Sequence, residues 1–113
     1  EPGNAWIDQL PGPYTLIFQL RTTQCVAPEV LQGEKTIGIR IPSHWFVEHV
    51  KHFEKPLVTT SVNPTGEMFM TSLETLDDTI KNKVTFIIYE GEKIGRPSTI
   101  IKLDKQDVEI IER

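Results

Sequence analysis

The chain has 113 residues, 38% of them hydrophobic and 25% charged, which fits one soluble domain, 1–113, long enough to bury a core. Its formal net charge of −4 argues against an autonomous nucleic-acid binder, because that affinity comes mostly from Lys and Arg neutralising phosphates. The longest apolar runs, such as residues 86–89, are too short to span a bilayer, and no basic leader precedes an apolar stretch, so the expectation is a cytoplasmic protein with no membrane partner.

Residues 4–10 read as the last turns of a helix that Pro11 and Gly12 terminate. The PGPYT segment at 11–15 turns the chain into an apolar strand, 16–20. A polar stretch follows, with one helical turn at 28–32. It holds the single cysteine, Cys25, which permits neither an internal disulfide nor a Cys-based zinc site and is expected to be structural. Residues 35–42 alternate as a strand should, placing Thr36, Gly38 and Arg40 on one face. Arg40 shares its face with a glycine and stands just before Pro42. A guanidinium there matches a carboxylate or phosphate in a planar fork; the plainer reading is a surface salt bridge. Ser43 can cap a helix whose core face is Phe46, Val47, Val50 and Phe53. His44, His49 and His52 lie around that helix, but HExxH requires histidines four apart, and His49 and His52 are three apart, so no metal ligand is assigned.

Residues 57–62 carry strand composition. Pro64 biases Asn63 toward an extended backbone, and Gly66 can supply the positive φ of a tight turn. Thr59, Ser61 and Asn63 sit two apart, which on a strand aims them at one side near its carboxyl end, where open α/β sheets hold ligands. The plainer reading is a solvated Asn-Pro-Thr-Gly turn. Thr71 to Glu74 has the form of a capping box for a helix with Leu73, Leu76 and Ile80 buried, ending near Asn82. Residues 84–88 read as an interior strand covered on both faces. The glycine-bearing loop at 90–99 matches neither GxxxxGK[ST] nor GxGxxG. Residues 100–103 and the final strand from 107 form a hairpin through the polar turn at 104–107. No residue is assigned a catalytic role.

Four segments, in order, resemble motifs of the YrdC/YciO-like family, the threonylcarbamoyl-AMP synthases: PGPYT (11–15), TIGIRIP (36–42), TTSVNPTGE (59–67) and GRPSTI (95–100). The match is to the carboxyl-terminal part of that domain. The preceding stretch of the family, with a PTDT-x-YGL-like segment and a lysine and arginine that engage ATP, has no counterpart here. The resemblance implies an α/β fold, a twisted open mixed sheet with flanking helices, apparently truncated at the amino end, with six strands and two or three helices readable. It implies a reaction in which threonine, bicarbonate and ATP, with Mg²⁺, give threonylcarbamoyl-AMP for tRNA modification. Carried over residue by residue, Arg40, Thr59 and Ser98 would bind threonine, and Thr36, Ser61, Asn63 and Arg113 would bind ATP. An apparent one-residue shift before Arg113 is expected to turn it to the opposite face. Two alternatives stand beside the synthase: a noncatalytic double-stranded RNA or tRNA-binding module, and the YrdC-like domain of a hydrogenase-maturation carbamoyltransferase. By itself the chain is expected to be inactive, and to self-associate or pair with the missing amino-terminal half.

Overall fold

Tyr14–Gln19 forms β1, the strand on which the sheet is built. The computed structural model describes residues 2–113. β1 pairs antiparallel with β2 (Thr36–Ile39) on one side and parallel with β3 (Thr99–Lys102) on the other; β3 turns back into antiparallel β4 (Glu109–Ile111). The result is a mixed sheet in the order β2-β1-β3-β4. Among the described residues four helices accompany it: α1 (Pro2–Ile7), α2 (Pro28–Leu31), α3 (Phe46–Phe53) and α4 (Asp78–Lys81). The described chain forms two compact units, one from residues up to 58 together with 98–113, which holds the whole sheet, and one from residues 59–97.

Register sorts the side chains. Leu16 lies opposite Ile101 on β3 and Ile39 on β2, and Ile101 lies opposite Ile110. Leu16 and Ile101 are wholly buried and form the centre of the core, each burial contributing about 1.5–3 kcal/mol. Leu16→Ala would break this centre. Alternation sends Thr15, Ile17, Gly38, Ile100 and Ile111 to the other face. Trp6 of α1 packs edge-on against Tyr14 at 5.4 Å between ring centroids, on the Leu16 side of the strand.

The PGP segment ties strands together. Gly12 donates its N–H to the Ile41 carbonyl at 2.9 Å, and the Thr99 N–H donates to the Pro13 carbonyl at 2.9 Å. Gly12 is buried, and a Cβ there would stand 2.7 Å from the Gln9 carbonyl oxygen, so the close approach requires glycine. The start of β1 is thereby fastened to the exit of β2 and to the start of β3.

Several sequence expectations change. Among the described residues four strands form rather than six, because residues 57–62 and 84–88 join no ladder. Strand propensity expresses itself only against a pairing partner and an apolar cover. Phe86 and Ile88 are 73% and 63% exposed, and Ser61 contributes only a single acceptor, to the Met70 N–H at 3.2 Å. Val62, with φ 56°, interrupts the two-residue repeat, so Ser61 and Asn63 do not follow one another along a strand face.

Helix α3 places Trp45, not Ser43, at its N-cap; the Phe46 N–H donates instead to His44 Nδ1 at 3.1 Å. Its apolar stripe is not core: Val47 and Val50 are only half-buried, and Phe46 and Phe53 are exposed. The capping signal at 71–74 also gives way. Thr75 Oγ1 accepts from the Thr71 and Ser72 amides, each at 3.0 Å, and closes a local turn. The helix begins at Asp78 behind Asp77, whose Oδ1 accepts from the Thr79 amide and hydroxyl and from the Ile80 amide. Leu76 is buried there, whereas Leu73 is exposed. Cys25 is exposed rather than packed. No helix among the described residues is long and apolar enough to cross a membrane.

Candidate functional site: a row of hydroxyls between two arginines

The face opposite Leu16 carries polar groups at one end of the sheet. β1 and β3 start there. β2 and β4 run antiparallel to them and end there, so the beginnings of two strands meet the exits of two others. Continuing the strand pairings by one or two residues puts Arg40 beside Thr15 and Arg113 opposite Ser98. Read across the sheet, the order is Arg40, Thr15, Ser98, Arg113; Thr15 is level with Ile100, so Ser98 and Arg113 stand two residues nearer the sheet end, and the staggered row measures about 14 Å across the strands.

Side-chain contacts hold most of this row. Thr15 Oγ1 and Ser98 Oγ are 2.5 Å apart, with either able to donate. Arg113 donates through Nε to the Ser98 carbonyl at 2.8 Å and through Nη2 to the Ser98 hydroxyl at 3.0 Å. Gly38 fixes the other branch of Thr15: a Cβ on Gly38 would lie 3.3 Å from Thr15 Cγ2 and 3.1 Å from Ile17 Cδ1. The threonine methyl therefore occupies the space the glycine leaves on β2, and its hydroxyl turns toward Ser98.

Charge is distributed unevenly along this face. At the far end Lys102 stands 3.8 Å from Glu109 and so has a carboxylate partner. At the row end Arg40 is exposed and, among the described residues, has neither an ion pair nor a side-chain hydrogen bond; Arg113 bonds only to neutral Ser98. Two guanidiniums without a carboxylate, flanking two hydroxyls, have the donor chemistry that suits anionic oxygen. No three His, Cys, Asp or Glu side chains cluster among the described residues.

The sequence candidates fall into three groups. Arg40, Ser98 and Arg113 come together. The expected reversal of Arg113 does not occur, because the pairing of Ile100 with Ile111 puts residues 109, 111 and 113 on the same face as 98 and 100. Thr36 shares the face but sits at the other end of β2, about 13 Å along the strand from Arg40. Thr59, Ser61 and Asn63 belong to the second unit. There Thr59 and Ser61 are exposed, while Asn63 donates through Nδ2 to the Pro64 and Glu67 carbonyls at 2.9 and 3.0 Å and shapes the loop. Its Oδ1 is buried without a partner. Sequence reasoning passed over Thr15. Its signal was a small polar residue closing the PGPYT motif at the head of an otherwise apolar strand.

Comparison with known proteins agrees with this architecture. A Methanocaldococcus jannaschii protein whose name assigns it provisionally as a threonylcarbamoyl-AMP synthase is 33% identical over 100 residues, covering 88% of this chain and 45% of its own. The uncharacterized protein YciO of Escherichia coli K12 is 34% identical, covering 82% and 46%. In three dimensions a double-alanine variant of P. abyssi Sua5 superposes with a TM-score of 0.76 at 28% identity, over 95% of this chain and 34% of that one. The chain thus spans a little under half the length of these two curated relatives. The profile of the Sua5, YciO and YrdC proteins, described as telomere recombination, matches residues 4–113, and the chain belongs to that family.

Proposed function

We propose that this chain supplies an anion-binding part of a threonylcarbamoyl-AMP synthase, a nucleotidyltransferase that converts threonine, bicarbonate and ATP to threonylcarbamoyl-adenylate and pyrophosphate for tRNA threonylcarbamoyladenosine modification. The observation that carries this reading is the row Arg40–Thr15–Ser98–Arg113, in which two arginines without acidic partners bracket two hydroxyls. The reaction brings together a carboxylate and a triphosphate, two anions that need separate cationic ends. The Vibrio vulnificus relative named threonylcarbamoyl-AMP synthase, 29% identical over 80% of this chain, supports the same assignment.

In this reading Arg40 grips the threonine carboxylate in its planar fork, leaving the amine free. The amine takes up carbon dioxide from bicarbonate, with loss of water, to form a carbamate. A carbamate oxygen then attacks the α-phosphorus of ATP, and pyrophosphate leaves. Arg113 faces the phosphate side, with Thr36 farther along the same sheet face. No side chain of the chain needs to form a covalent bond. Its work is to orient two reactants and balance charge, effects able to supply about 7–11 kcal/mol of the barrier through positioning alone.

The test is pyrophosphate release from ATP that requires both threonine and bicarbonate, with the adenylate identified by mass. It should be run on the chain alone and on the chain mixed with the remaining part of a full-length relative. Release that ignores threonine in the mixed assay would refute the assignment.

A further inference from the structure

Ser98 is buried, 5% exposed, and its polar atoms are already engaged. Its carbonyl and hydroxyl both receive hydrogen bonds from Arg113, and its hydroxyl lies 2.5 Å from that of Thr15. A hydroxyl has one proton and two lone pairs. With Arg113 donating into Ser98 Oγ, two arrangements remain. If Thr15 donates to Ser98, the Ser98 proton is stranded in the interior with no acceptor among the described residues, which a fold avoids. If Ser98 donates to Thr15, Ser98 is satisfied and the spare proton sits on Thr15, which is only partly buried. The second arrangement prevails.

The chain of bonds then runs one way, from the Arg113 guanidinium through Ser98 to Thr15. Each donor polarises the next, so the last hydroxyl is a better donor than an isolated one. Thr15 cannot easily rotate away, because its methyl is seated in the gap left by Gly38. We infer that Thr15 is the hydroxyl that donates directly to an anionic oxygen of the substrate, and that Ser98 is a positioning residue that relays the Arg113 charge to it. This rests on the functional reading of the same row. The ligand chemistry is an anionic oxygen, borne either by the threonine carboxylate or by a phosphate of ATP.

Calorimetric titration of the 113-residue chain with L-threonine, L-threoninamide, ATP and adenosine decides the matter. Thr15→Val keeps the branched shape and removes the donor; it should weaken binding of threonine or of ATP by about tenfold to a hundredfold, leaving the matching neutral probe unchanged. Loss confined to threonine identifies the carboxylate, and loss confined to ATP the phosphate. Thr15→Ser, which keeps the hydroxyl, should stay within about threefold of the wild type. Ser98→Ala should reduce the preference for the anionic over the neutral probe, whereas a purely structural serine would lower both alike.

Wild-type affinity for both anions in Thr15→Val overturns the inference while leaving the synthase assignment standing. Failure of the wild-type chain to bind either anion, both alone and mixed with the remaining part of a full-length relative, overturns both. Should Thr15→Val not fold, the wild-type protein still answers: the ¹³C shift of the Thr15 methyl should respond to an anionic ligand and not to its neutral analogue, and an unmoved methyl would overturn the inference.

Discussion

Arg113 holds Ser98 twice, by its carbonyl at 2.8 Å and by its hydroxyl at 3.0 Å, so one guanidinium fixes both the backbone and the side chain across the β3–β4 hairpin. Arg113→Lys keeps the charge but offers a single compact ammonium in place of a fork. Because Arg113 is exposed, the change should cost less than about 1 kcal/mol of stability. It should nevertheless weaken ATP binding about tenfold, since the row loses its rigid end. Thermal melting and ATP titration on one preparation check both halves.

Arg40→Ala removes a side chain that bonds to nothing else among the described residues. Stability should stay within about 0.5 kcal/mol of the wild type, while threonine affinity falls about tenfold or more. A melt that moves substantially, with threonine binding intact, would assign Arg40 to the fold and not to the ligand.

Gly38→Val tests the seat of the Thr15 methyl. The added atoms would press on Ile17 Cδ1 and Thr15 Cγ2, which stand 3.1 and 3.3 Å from the position of a Cβ. Overpacking of this kind should destabilise by about 1–2 kcal/mol, even though valine favours strands. Chemical denaturation gives the stability, and the ¹³C shift of the Thr15 methyl reports its displacement.

Hydrogen bonds from the Thr79 hydroxyl, then from the Ile80 and Thr79 amides, hold the Asp77 carboxyl below its ordinary value of 3.8, against a smaller upward effect of desolvation. A carboxylate with a depressed folded pKa stabilises the helix start above its unfolded pKa, and that help disappears as pH falls through the folded value. Amide exchange at Thr79 and Ile80 should therefore accelerate in acid beyond its intrinsic pH dependence. Asp77→Asn, an equally good cap, should abolish that extra acceleration.

Residues 84–89 combine high β propensity with exposure on both sides: Phe86 and Ile88 are 73% and 63% exposed, and Ile87 between them is 42% exposed. An unpaired strand-like segment of this kind is a template for a second copy. Antiparallel pairing brings the Lys83 end of one copy to the Glu92 end of the other, whereas parallel pairing superposes like charges. Sedimentation of the purified chain should show concentration-dependent association, and the double substitution Phe86→Lys and Ile88→Lys should leave a monomer.

Much of the sheet was legible because its signals are local. The alternation of residues 35–42, the PGP turn and the polar hairpin turn at 104–107 each specify their own backbone. The two vanished strands were misread for the opposite reason: apolar, β-branched composition at 57–62 and 84–88 states a readiness to pair, and a single sequence does not say with what. The row itself was half visible. Arg40 and Ser98 stand in recognisable motifs, but Thr15 acquires meaning only from the parallel pairing of β1 with β3, and the direction of Arg113 only from the register with β4. Both relations are long-range, and periodicity along one strand carries no information about them.

Thr15 and Ser98 touch although 83 residues separate them in the chain. Contacts this distant in sequence form late and slowly, since a long loop must close before they repay its entropy. A half-made chain thus carries Arg40 and Thr15 but neither Ser98 nor Arg113, and the row is completed only with the last seam of the sheet. An anion seated across that seam would act as a clasp, raising the resistance of the whole sheet to opening as its occupancy rises.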